Sequence, residues 1–330
     1  MSLPRVLVTG GAGYIGSHVN KHLNNHGYDT VVLDNLSRGH RDLVKWGNFI
    51  EGDIGDMVIL EEIFSRYSIG AVVHLAAYAY IEESMTSPLM YWQNNFVHSL
   101  TLVKQCIKHS INRFVFSSTC AVYGLPEILP IQEKQLPKPI NPYGATKLAI
   151  EMMLENIAGS TEFKYFALRY FDAAGADLDG GIGERHSPET HLIPKALEAV
   201  YNGAPASVFG DDYKTEDGTC IRDYIHVSDL ADGHVKALEH LLEGKDSDTC
   251  NLGMGHGFSV GQILDAVERV TGLPLERVVE NRRLGDPPTL IANIEKAHDV
   301  LGWTPAKLDL DFIVRSAWRW HQREWSSAHD

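Results

Sequence analysis

Apolar residues fall along this chain in two alternating rhythms: short β-branched runs, and segments whose apolar positions recur at helical spacing. The first run, Val6-Leu7-Val8, is apolar at consecutive positions, as a buried parallel strand must be. Past a glycine cluster, Ile15, Val19 and Leu23 mark one face of a helix that Gly27 closes, and Asp29 to Asp34 reads as a second strand ending in an acid. The alternation continues with a strand over Phe49 to Asp53, a helix over Met57 to Tyr67 and a strand over Ala71 to Ala77. A long helical pattern from about Ser87 to His109, a strand over Arg113 to Ser118, a helix from Pro142 to about Ala158 and a strand over Tyr165 to Arg169 follow. Strands alternating with helices predict βαβ units, so the expected fold is α/β, a doubly wound parallel sheet of Rossmann type.

After Asp172 the rhythm breaks. Residues 173–190 are rich in Gly, Asp and small side chains, as a long loop or lid would be, before a helix over Leu192 to Tyr201. Short strands (Ser207 to Phe209, Thr249 to Leu252) and helices at 228–242, 259–271 and 310–322 complete the chain. The expected division is a cofactor-binding Rossmann domain over 1–175 and a smaller C-terminal α/β substrate domain over 176–330, with segments around 222–250 returning to the first. A chain of 330 residues, 44% hydrophobic, is long enough for both cores. A formal net charge of −14 without a basic run argues against nucleic acid as a partner. Cys106, Cys120, Cys220 and Cys250 are scattered without C-x-x-C spacing, so neither a disulfide framework nor a zinc site is indicated, and no metal is expected. No run approaches the ~20 apolar residues that span a bilayer, and the first strand starts too early for a signal peptide, so a cytoplasmic protein is expected.

The chemistry starts at the glycines. Gly11, Gly13 and Gly16 match G-x-G-x-x-G, and Gly10, Gly13 and Gly16 match G-x-x-G-x-x-G, between a strand and a helix whose first N–H groups favour a phosphate. Asp34, at the end of the second strand, stands where an adenosine ribose needs a hydrogen-bond acceptor. A carboxylate there repels a 2′-phosphate and favours NAD, although Arg38 is nearby. Ligands of such sheets sit beyond the carboxyl ends of the strands, where Asp53-Ile54, His74-Leu75-Ala76-Ala77 and Ser117-Ser118-Thr119 are found. Tyr143 and Lys147 lie four apart on a predicted helix whose start Asn141-Pro142 fixes. A phenol is a poor base at neutral pH, but an adjacent ammonium and a positive nicotinamide would stabilise its phenolate, and the Thr119 hydroxyl both donates and accepts, as a proton shuttle should.

These residues, with Gln93-Asn94-Asn95, Leu168-Arg169-Tyr170-Phe171, Tyr213 to Thr219 and Arg222-Asp223-Tyr224-Ile225-His226-Val227, resemble the extended branch of the short-chain dehydrogenase/reductases, and within it the UDP-sugar 4-epimerases, over nearly the whole chain. The resemblance implies NAD as cofactor and inversion of C4 of UDP-glucose and UDP-galactose through a transient 4-keto sugar. It makes Tyr143 the base, with Lys147 and Thr119 beside it. It assigns the cofactor to Gly10, Gly13, Tyr14, Ile15, Gly16, Asp34, Asn35, Asp53, Ile54, Leu75, Ala76, Ala77, Asn94, Ser117, Tyr143, Lys147 and Tyr170. The nucleotide sugar falls to Thr119, Tyr143, Asp172, His191, Leu192, Ser207, Val208, Phe209, Arg222, Arg283, Asp286 and Leu290, with the two arginines on the diphosphate. It also implies a homodimer built from the helices near 87–109 and 142–158.

Three positions depart from the family's bacterial pattern: Ala79 where a lysine reaches the cofactor, Asp172 where Asn is usual, and Leu290 where a bulky Tyr lines the sugar site. A nucleotide-sugar 4,6-dehydratase needs an Asp-Glu pair after the Thr, and a decarboxylase a Glu, but Cys120 and Ala121 stand there. A net reductase would want NADPH, and a non-catalytic sensor would have no need of Tyr143, Lys147 and Thr119 together. The natural sugar stays open among UDP-hexoses, their N-acetyl forms and pentoses.

Overall fold

The computed structural model describes residues 3–283 and 286–327. The first half runs β1 (Arg5–Thr9), α1 (Tyr14–Asn25), β2 (Thr30–Asp34), β3 (Asn48–Glu51), α2 (Met57–Arg66), β4 (Ile69–His74), α3 (Ile81–Thr86), α4 (Pro88–Tyr91), a π-helical stretch Trp92–Val97, α5 (His98–Lys108), β5 (Arg113–Thr119), α6 (Pro142–Ala158), β6 (Lys164–Tyr170) and β7 (Asp172–Ala174). The second half runs α7 (Leu192–Asn202), β8 (Ala206–Phe209), β9 (Ile221–Arg222), β10 (Tyr224–His226), α8 (Val227–Leu242), β11 (Asp248–Leu252), β12 (Phe258–Ser259), α9 (Val260–Thr271), β13 (Arg277–Glu280), β14 (Thr289–Leu290), α10 (Glu295–Leu301) and α11 (Leu310–Ser327). Among the described residues no helix is long and apolar enough to cross a membrane.

Seven of these strands form one parallel sheet in the order β11-β6-β5-β4-β1-β2-β3. Both faces are buried, which explains the unbroken apolar runs. On one face Val19 and Leu23 of α1 pack with Leu230, Val235 and Leu238 of α8 and with Trp303. On the other, Leu60 and Ile63 of α2, Leu102 and Val103 of α5, and Ile150 and Leu154 of α6 close a second core. A smaller lobe has its own core from α7, α9 and α11.

The chain passes between the lobes repeatedly. β7 pairs with β10, β9 lies between β12 and β14, and β8 pairs with β13. β11, which the pattern suggested only as a short strand late in the chain, is an edge strand of the main sheet.

Two sequence expectations need correction. The pattern from Ser87 to His109 is not one regular helix, because the Trp92–Val97 stretch adopts i→i+5 bonding between α4 and α5. That widened turn sets Asn95 against Tyr78: its Oδ1 accepts from Tyr78 N at 2.9 Å and its Nδ2 donates to Tyr78 O at 3.0 Å. Residues 173–190, read as loop, begin with two residues of β7, whose short partner β10 is too brief to leave a periodic signal.

The α6 helix starts as expected, with Pro142 in its first turn and Asn141 Oδ1 accepting from Gly144 N at 2.8 Å. Its register is fixed further on by a buried ion pair. Glu151 accepts from Arg169 of β6 (Nε 3.0 Å, Nη2 2.5 Å) and from the Ser118 hydroxyl of β5. Arg169 continues to Tyr123 OH at 3.0 Å, which donates to Asn251 of β11 at 2.7 Å. Removing one partner of such a pair strands a charge away from water. Glu151→Ala is therefore expected to lower unfolding free energy by about 3–5 kcal/mol in urea titration, while a double Glu151→Met, Arg169→Met change should cost less than the sum of the two single changes.

Candidate active site

A cavity of about 1210 Å³ opens beyond the carboxyl ends of the strands, between the sheet and the smaller lobe. At one end lies the glycine turn. Gly10 has φ +72°, and a Cβ there would sit 2.6 Å from Ala76 N, so the crossing of this turn over the end of β4 is open only to glycine. A Cβ at Gly16 would sit 2.0 Å from Gly10 O, which packs the start of α1 against the turn. Gly13 is the N-cap of α1 and no side chain caps the helix, so its first N–H groups face the cavity without a side-chain acceptor. An anion fits that end.

Asp34 lies along the same wall. Its carboxylate accepts from Ala12 N and Leu36 N, both at 2.9 Å, and each oxygen has a further lone pair for a ribose hydroxyl. Burial raises its pKa and the two N–H bonds oppose the rise. Arg38, the cation an NADP phosphate would use, is bonded to Glu83 at 2.5 Å and stacks on Tyr78 and Tyr80, on either side of Ala79. Asp53 is held by Asn35 Nδ2 at 2.7 Å and Gly55 N at 2.7 Å, and pairs with His98 at 2.9 Å. The pattern of donors and acceptors fits a dinucleotide.

At mid-cavity the end of β5 meets the first turn of α6. Lys147 Nζ donates to Ser117 O at 2.8 Å and lies 6.0 Å from the Tyr143 ring centroid, and Tyr170 OH is hydrogen-bonded to Ser117 Oγ. Burial pushes the Tyr143 phenol up to about 12, with the Thr119 hydroxyl opposing through a hydrogen bond. Burial pushes the Lys147 ammonium down to about 7, with Glu151 opposing. Left to the protein alone, the phenol keeps its proton at neutral pH. A cationic ring beside it would favour the phenolate, so the pair fits a nicotinamide in its oxidised form.

At the far end Arg222 is ion-paired with Asp286, and Arg283 stacks on Phe209 with its guanidinium 4.1 Å from the ring centroid. Leu284 and Gly285, between Arg283 and Asp286, lie outside the described residues. Asp172, in the cavity wall, has its pKa raised by burial, with Arg222 and His191 opposing.

All but one of the residues assigned from sequence line this cavity. The exception is Val208, whose side chain points the other way along β8, into the core of the smaller lobe with Ile263 and Leu264. His74, in a segment singled out by its position, is a core tie: it bonds Thr9 Oγ1 and Ser99 Oγ, both at 2.7 Å, and burial pushes it down to about 3. The cavity wall also carries residues that sequence reasoning missed, including Tyr78, Tyr80, Tyr224, Glu184 and His186. Glu184 and His186 join Glu189 and His191 in a cluster of four potential metal-ligating groups, and their spacing within eight residues was the available signal.

The model of the NAD dependent epimerase/dehydratase family matches residues 6–253. The chain is 50% identical to a UDP-glucose 4-epimerase of Rhizobium leguminosarum bv. trifolii, covering 96% of this chain and 97% of the relative. It superposes on the crystal structure of UDP-glucose 4-epimerase from Brucella ovis in complex with NAD with TM-score 0.93 and 48% identity, over 96% of this chain and 98% of that one. It is also similar to the UDP-Glc/GlcNAc 4-epimerase of Campylobacter jejuni, with TM-score 0.85 and 38% identity over 97% of this chain and all of that one (100%).

Proposed function

The chain belongs to the NAD dependent epimerase/dehydratase family, and we propose that it inverts C4 of a UDP-hexose, interconverting UDP-glucose and UDP-galactose, with Tyr143 as the base. The observation that carries this reading is the meeting of Tyr143, Lys147 and Thr119 with Arg222 and Arg283 in one cavity of about 1210 Å³. That exceeds the ~300–1,000 Å³ of an ordinary ligand pocket, as a site for two nucleotides must. The name of the Rhizobium relative supports the substrate class.

Bound NAD would supply reversible hydride chemistry at C4, a redox-neutral cycle. Gly10, Gly13, Gly16 and Asp34 would hold it, and the other steps belong to the protein. Arg222 and Arg283 hold the diphosphate through charge-assisted hydrogen bonds, Arg222 sharing its charge between the ligand and Asp286. Thr119 relays the proton of the sugar 4-OH to Tyr143, and Lys147 offsets the phenolate charge. With the diphosphate clamped by Arg222 and Arg283, the sugar itself is free to present either face of C4 to the cofactor's position. Cys120, where a dehydratase has an acid, is a thiol whose pKa burial raises, so it stays protonated and cannot act as that family's carboxylic acid.

The subunits pair through the α4–α5 region and α6. Leu89, Met90, Trp92, Val97 and Met152 are exposed on these adjacent elements, apolar surface that a partner subunit would cover. Light scattering at micromolar protein is expected to give twice the 36.7 kDa chain mass, and a monomer would remove this arrangement.

Tyr143→Phe removes the proton acceptor with little change of shape. Turnover is expected to fall roughly 10²- to 10⁴-fold, while the NAD released on denaturation matches wild type; near-normal turnover would assign the base elsewhere. Leu290 lines the cavity where a bulkier wall would crowd a 2-acetamido group, and likeness to an enzyme named for both Glc and GlcNAc sugars favours a broader range. Relieved overpacking is worth ~1–3 kcal/mol, so Leu290→Tyr should lower the kcat/KM ratio of UDP-N-acetylglucosamine to UDP-glucose by about 10- to 100-fold.

A further inference from the structure

The segment between β7 and α7 holds a group of side chains of which only His191 was assigned to the nucleotide sugar. Glu184, His186, Glu189 and His191 bring one ligating atom each to within 4.8 Å of one another. The separations have a definite scale. His186 Nδ1 lies 3.0 Å from Glu184 Oε1 and 3.8 Å from Glu189 Oε1, His191 Nδ1 lies 3.5 Å from Glu189 Oε1, and His191 Nδ1 is hydrogen-bonded to Glu184 Oε1. Four ligands around a tetrahedral ion with metal–N of ~2.0–2.1 Å and metal–O of ~2.0–2.2 Å stand roughly 3.3–3.5 Å apart. The edges of 3.0, 3.5 and 3.8 Å bracket that value, and the His191–Glu184 hydrogen bond opens to admit the ion.

Two further features point to an ion rather than to a simple ion-pair network. The His186 Nδ1 atom is buried without a hydrogen bond although it faces Glu184 Oε1 at 3.0 Å, which leaves its lone pair or proton free for a ligand placed between them. The charge also balances. Glu184 is buried, and two carboxylates with two neutral imidazoles are neutralised by one divalent cation, which removes the cost of buried uncompensated charge.

The backbone that presents these ligands is anchored independently of them. Glu184 O accepts from Trp320 Nε1 at 2.8 Å, Arg185 O is bonded to His40 Nε2 at 2.8 Å, and Arg185 pairs with Asp42 at 2.9 Å and Glu324 at 2.5 Å. Glu189 Oε1 is oriented by Thr190 N and His191 N at 2.7 and 2.8 Å.

We infer that Glu184, His186, Glu189 and His191 form a structural site for one divalent transition metal of the zinc type. Imidazole nitrogen excludes a Ca²⁺- or Mg²⁺-like all-oxygen site, and the absence of thiolate from the set disfavours Cu(I). Four protein ligands leave no open position, so the ion binds no substrate. Its effect is positional. His191 is the N-cap of α7, and Glu184, His186 and His191 face the cavity, so the ion fixes the wall on which the nucleotide sugar lies.

The test uses full-length protein stripped with a chelator and titrated with Zn²⁺ against a chromophoric zinc indicator, with Co²⁺ as spectroscopic probe. One Zn²⁺ per chain and the visible bands of four-coordinate Co²⁺ are expected. Joint His186→Ala and His191→Ala substitution should weaken Zn²⁺ binding at least roughly 100-fold, and Glu189→Gln, the milder change that keeps shape, at least roughly 10-fold. Circular dichroism identifies any variant that fails to fold, in which case Glu189→Gln decides. Zn²⁺ bound no more tightly by wild type than by the folded variants, or a six-coordinate Co²⁺ spectrum, would overturn the assignment.

Discussion

The buried pair of Glu151 and Arg169 is the constraint on which the catalytic geometry depends. A helix lying on a parallel sheet can slide or rotate at little cost if only apolar side chains hold it, because dispersion contacts have no preferred direction. The carboxylate of Glu151 removes that freedom, since it must meet the guanidinium of β6 and the hydroxyl of β5 at once. Lys147 stands one turn before Glu151 and Tyr143 one turn before Lys147, so fixing the third fixes the other two. The same carboxylate is the nearest negative charge to Lys147 and keeps its ammonium from falling further.

Burial then does two opposite things in the space of one helical turn. It pushes the Tyr143 phenol toward its protonated form and the Lys147 ammonium toward its neutral form. The arrangement stores a demand for positive charge that a bound oxidised cofactor meets.

Much of this was legible in the sequence, for physical reasons. Doubly buried strands and helices of period 3.6 write themselves as apolar patterns, and the glycine turn, Asp34 and the Tyr143–Lys147 spacing each follow from local geometry that needs few long-range contacts. Val208 was misread because a strand's alternation cannot say which face looks into a cavity until its neighbours are known. The π-helical stretch was hidden because one widened turn buries only the polar Asn95 and so leaves no break in an apolar pattern. The roles of His74 and of the Glu184 cluster depend on what lies across from them, which no linear pattern records.

The repeated passage of the chain between its two lobes has a consequence for how the cavity works. Domains that close over a ligand commonly turn on one or two flexible strands of chain, whereas here residues from 206 to 303 alternate between the cores of the two lobes, so the chain crosses the junction several times. Such a seam resists opening as a book resists when sewn through more than one edge. The room in which a sugar could reverse its face is therefore already present in the resting molecule, rather than made by closure.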